Sequence, residues 1–137
     1  MAKFVFRLEK VLDYRQTLET EAKQRFLEAR VSRLDFENEM ELKAAERSRS
    51  LNEGATDMAI RMTLVAYVER LEMEEGHMKL ALGVLLDEEA AALNAWHDRK
   101  KDVEALNKLR HKAHDEWRLE ESRREQNELD EFAVMRR

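Results

Sequence analysis

Not one of the chain's 137 residues is proline, and only three are glycine. A backbone with so few breakers has few places to turn, so long helices are the architecture it most readily supports. The charged fraction of 40% and aromatic fraction of 7% argue against a thick globular core. An apolar fraction of 43% is too large for simple disorder. The best turn signal is "SLNEGATDM", residues 50–58. There Asn52 and Gly54 suit a helix C-terminus, and Thr56 or Asp57 suits the next N-cap.

Hydrophobic periodicity supports the same plan. Before the turn, a stripe runs through Phe4, Leu8, Val11, Arg15, Leu18, Ala22, Phe26, Ala29, Arg33, Phe36, Met40, Ala44, Arg47 and Leu51. Its mean step of about 3.6 keeps one face of a nearly straight helix in register. After the turn a stricter seven-residue rhythm places Leu64, Val68, Leu71, Met78, Leu82, Leu85, Ala92, Trp96, Val103, Leu106, Ala113 and Trp117 on one seam. Glu75, Glu89, Arg99 and Arg110 interrupt it.

The expected fold is therefore all-α, a long antiparallel two-helix coiled-coil hairpin whose second helix is the longer. It is expected as a single domain over residues 1–137, with helix 1 at about 3–53, a turn at about 54–56 and helix 2 at about 57–134. Folding at Gly54 makes paired residue numbers sum to about 110, which sets Phe26 near Leu85 and Met40 near Leu71. The first helix would span roughly 75 Å and the second roughly 117 Å, leaving residues beyond about 107 without a partner in the chain. Gly76 and Gly83 stand within strong helical pattern. They read as a slightly weakened helix, as a kink, or as a place of close partner contact.

Several function classes are disfavoured. Carboxylate pairs such as Glu74–Glu75, Glu88–Glu89 and Glu120–Glu121 sit on exposed helix faces, there is no glycine-rich phosphate loop, and no catalytic residue is expected. His111, His114 and Asp115 share helical spacing suited to a metal, but exposed His on polar helices is far commoner, so no metal site and no cofactor are expected. A net charge of −5 with interleaved signs argues against nucleic acid as the main partner. Zero cysteines, no apolar run of roughly 18 residues and no signal-peptide pattern point to a cytoplasmic protein without membrane insertion. Binding through a helical surface is the remaining default.

Three stretches then carry a resemblance. "FRLEKVLDYR" spaces Phe6, Leu8, Val11, Leu12 and Arg15 as in the FliJ family of flagellar type III export proteins. "AWHDRKKDVEALNKLR" looks like that family's tryptophan followed by basic residues and a leucine-bearing helix. "REQNELDEFA" is the most specific, with Arg124, Glu125, Gln126, Leu129, Asp130, Glu131 and Ala133 reproducing its Glu-Gln-x-x-Leu-Asp-Glu signature.

The resemblance implies a stalk-like coiled coil that binds and activates the hexameric export ATPase. It also implies contact with the export gate membrane protein from the cytoplasmic side, and help to export chaperones in delivering subunits. Such a protein is peripherally associated with the inner membrane at the flagellar export apparatus, and is expected to be largely monomeric when free. Carried over residue by residue, the ATPase-ring contact falls on Arg15, Arg123, Arg124, Gln126, Asp130 and Glu131. The export-gate contact falls on Tyr67, Val68 and Leu71, of which Leu71 also sits on the seam and reads equally as core. Two alternatives stay open, the equivalent stalk of a virulence secretion system and a self-associating coiled-coil scaffold.

Overall fold

A computed structural model describes residues 2–53 and 57–136. It contains α1, Glu9–Asn52, and α2, Met58–Met135, with no strand among the described residues. The helices contact one another as a hairpin, and α2, at 78 residues against 44, is the longer. The turn expected at Gly54 and the alternative cap Thr56 lie outside the described residues. Asp57 is the observed cap: its Oδ1 accepts the Ala59 N–H at 3.1 Å and its carbonyl accepts the Arg61 N–H at 2.9 Å.

The start of the first helix is corrected. Helix 1 begins at Glu9, not at residue 3. No Ser, Thr, Asp or Asn precedes Glu9 to cap an earlier start. In "FVFRL" the apolar Phe4, Phe6 and Leu8 are two apart, the spacing that shares one side of an extended chain. Phe6 is buried and Phe4 and Leu8 are partly buried, while Val5 and Arg7 are exposed.

The two ends of the α1 stripe are corrected as well. Leu12 is buried at 3% exposure where Val11 is exposed at 43%, and Ser50 is buried at 8% where Leu51 is exposed at 58%. The observed seam runs through residues 12, 15, 19, 22, 26, 29, 33, 36, 40, 43, 47 and 50, a strict seven-residue repeat. Its mean step is about 3.5 and not 3.6, the period of a left-handed supercoil. On α2 the expected seam is at least partly buried at every position except Arg110.

The chain divides into two compact units, residues 22–96 and residues 1–21 with 97–137. In the first, Ala22, Phe26, Val68 and Leu71 form the core. The Phe26 ring stacks on Trp96 at 5.7 Å and 22°, with Lys23 Nζ 5.9 Å from the Trp96 ring centre. The charged interruptions of the two seams answer one another. Arg33 donates through both Nε and Nη2 to Glu89, and Arg47 Nε pairs with Glu75 at 3.1 Å. Lys43 Nζ adds a pair to Glu74 at 2.7 Å.

These contacts correct the register. Arg33–Glu89, Arg47–Glu75 and Phe26–Trp96 each have residue numbers that sum to 122, not to about 110. In the expected register Glu75 would lie level with Asp35 and Glu89 with Glu21, setting carboxylate against carboxylate. The observed one gives each seam carboxylate an arginine. Polar groups on a coiled-coil seam specify alignment in this way, since any slip leaves them unpaired.

In the second unit the core is Phe6, Leu12 and Val103. Arg15 pairs with Asp102 at 3.3 Å and Arg110 with Glu9 at 3.0 Å. Phe4 meets His114 edge-on at 5.0 Å and lies 5.8 Å from Trp117. Partnering along α2 therefore reaches Trp117, ten residues past the expected limit of 107. The corrected register accounts for this reach: a sum of 122 sets Phe4 level with about residue 118, beside Trp117.

Candidate partner-binding surfaces

Continuing the α2 seam beyond Trp117 lands on Glu120, Arg124, Asn127 and Glu131. The seam turns polar where its last partner, Phe4, has been met. Every described residue from Ser122 to Arg136 is exposed. Apolar side chains nevertheless remain there: Leu129 is 63% exposed, Phe132 57% and Val134 72%. At 3.6 residues per turn, Leu119, Leu129, Phe132 and Ala133 fall on the side of α2 away from the seam. The tail thus carries its own apolar stripe, facing away from the chain's other helix.

Around that stripe the charged groups are locally ordered. Arg124 Nη1 donates to Glu121 at 3.3 Å, Gln126 Nε2 donates to Asp130 Oδ1 at 3.3 Å, and the Arg136 guanidinium lies 5.0 Å from the Phe132 ring centre. Asp130 and Glu131 border a shallow depression with Val134 and Met135. Of the expected ATPase-contact set, Arg123, Arg124, Gln126, Asp130 and Glu131 share this tail. Arg15 does not join them. Its partner Asp102 precedes Arg123 by 21 residues, roughly 30 Å along the helix. Phe132 is outside the expected contact set, which follows the charged residues of the family signature. Its signal was an aromatic ring on a turn of helix with no seam left to fill.

The expected gate-contact residues occupy two environments. Leu71 is 2% exposed and Val68 7%, so both pack between the helices. Tyr67 is partly exposed and donates its hydroxyl to Glu46. That carboxylate, as acceptor of the phenolic proton, raises the Tyr67 pKa above 10.0. Nearby, the Lys43 ammonium bonded to Glu74 lowers the Glu74 pKa below 4.5, and Lys43 itself is raised. The Arg33 guanidinium is likewise raised by its bonds to Glu89 and Glu37.

The two histidines of the metal-like spacing diverge. His114 packs on Phe4, whereas the His111 side chain is 83% exposed and faces Asp115 at 3.7 Å. Among the described residues no cluster of His, Cys, Asp and Glu could hold a metal ion. No helix among them is long and apolar enough to cross a membrane.

The family described as "Flagellar FliJ protein" matches residues 4–137, essentially the whole chain. The chain belongs to the FliJ family. Comparison with curated proteins and with solved structures returns no match. FliJ membership makes this a protein of flagellar export, associated with the export apparatus. The match covers most of the segment before Glu9, both helices and the exposed tail, so the surfaces described above belong to the FliJ unit.

Proposed function

We propose that this FliJ protein is a non-enzymatic, stalk-like activator of the hexameric flagellar export ATPase, with the α2 tail as the part that enters the ring. The observation that carries this reading is the tail itself. From Ser122 to Arg136 it is helical nearly to its end, exposed, and furnished with Leu129 and Phe132, 63% and 57% exposed. Exposed apolar groups on a charged helix suit a partner that buries them while charged neighbours set orientation. Arg123, Arg124, Gln126, Asp130 and Glu131 take the orienting role, and Leu129 with Phe132 the anchoring one. Arg15 contributes through its pair with Asp102, which holds α1 on α2.

In the same reading Tyr67 is the gate-facing residue, supported from beneath by Val68 and Leu71, and the protein assists chaperone-bound subunits on their way to the gate. It then works on the cytoplasmic side, peripherally at the inner membrane. The test is ring assembly and turnover of the purified export ATPase with and without the chain. Wild type raises both. Leu129→Asp with Phe132→Asp abolishes the effect while helicity at 222 nm stays within a few per cent, since both side chains are exposed. Absence of any wild-type effect on assembly or turnover sinks the proposal.

A further inference from the structure

Between residues 62 and 84, α2 is apolar on two sides. One is the seam. The other carries Met62, Met73, Leu80 and Val84, exposed at 68%, 66%, 75% and 57%. Gly76 and Gly83 lie among them, seven apart like Met73 and Leu80. A methyl group built on either glycine meets nothing within 4 Å. No contact inside the chain therefore requires glycine at these positions, and alanine would make the better helix. Among the uses of glycine on an exposed helix face is to let a second backbone come close.

We infer that this face is a contact between two copies of the chain, crossing antiparallel at Gly76. A two-fold axis at that residue sets each position before Gly76 level with the position equally far after it on the second copy. Met73, three before Gly76, then comes within one residue (about 1.5 Å) of the level of Leu80, four after it, on the other copy. Glu72 of each likewise comes within one residue of the level of Lys79 of the other, and both residues are exposed. Opposite charges thus meet on both sides of the crossing. A parallel pairing would instead set Glu69 on Glu69, Glu72 on Glu72 and Lys79 on Lys79, which selects the antiparallel arrangement. One helix crossing of this kind stays below the roughly 1,200 Å² that stable interfaces bury. The pair accordingly separates on dilution and forms where copies are concentrated. This surface is independent of the tail and of the ATPase reading.

Sedimentation equilibrium of the full chain from about 10 μM to about 1 mM tests the inference. Wild type shifts from monomer toward dimer mass across that range, and Leu80→Lys remains monomeric. Gly76→Ala raises the melting temperature of the dilute chain yet weakens association at least about tenfold, opposite signs that only an intermolecular role for the glycine produces. Glu72→Lys and Lys79→Glu each weaken association, and the two together restore it. A wild-type chain monomeric throughout overturns the inference. So does association that survives Leu80→Lys but is lost in Phe132→Lys, or a double charge reversal without recovery.

Discussion

Replacing Phe26 with alanine tests how the longer of the two packing units is held. Phe26 is 9% exposed and lies flat against Trp96 at 5.7 Å. Burial of a phenylalanine ring is worth about 3–5 kcal/mol against alanine, of which the aromatic pair supplies about 0.5–1.5. A two-helix layer relaxes into a cavity more readily than a thick core, so the lower end applies, about 3 kcal/mol. For 137 residues, an unfolding entropy of about 2.1 cal/mol/K per residue converts that loss into a fall of about 10 °C in Tm. The assay is thermal unfolding at 222 nm, with Trp117→Phe as background so that Trp96 is the only fluorophore of its kind. Trp96 emission should shift to the red in the folded Phe26→Ala chain, because its stacked neighbour has become water. Phe26→Leu should fall between the two. A Tm loss under about 3 °C together with unchanged Trp96 emission would refute the reasoning, since the ring would then be a passenger and not the packing centre.

Reversing Arg33 to Glu should lower Tm and leave Glu89 facing a like charge. Adding Glu89→Arg should recover most of the loss, and failure to recover would mean that the pair does not set register. Phe4→Ala should free the segment before Glu9 and shift Trp117 emission to the red in a Trp96→Phe background, with helicity nearly unchanged because residues 2–6 are outside α1. Acid should destabilise the chain through Glu74. Its folded pKa lies below 4.5, so its contribution is present above the unfolded value and disappears as pH falls through the folded one. Melting curves from pH 7 to pH 3 should show this loss, and Lys43→Gln should flatten it.

Much of the hairpin is legible in the sequence. Every α2 seam position but Arg110 is at least partly buried, because a seven-residue repeat over so many turns admits one helical phase. The family signature was equally legible, since it is a matter of residue order. The segment before Glu9 reads as helix in the sequence because Phe4 and Leu8 fit a helical step as well as an extended one. Nothing local distinguishes them until Phe6 is seen packed beside its neighbours. The gate-contact set mixed surface with core for a related reason. Tyr67, Val68 and Leu71 are adjacent in sequence, but only packing against α1 decides which of them retains surface.

By itself, the sequence determined two long helices of unequal length, the seam face of α2 and the polar character of the residues beyond Trp117. These follow from periodicity and the absence of breakers, properties each helix has alone. Only the tertiary structure decided the register, the place where partnering ends and the Arg33–Glu89 and Arg47–Glu75 matches. Those depend on which residue of α1 stands opposite which residue of α2. Short-range pattern leaves that offset free, and long side chains reaching across the seam settle it.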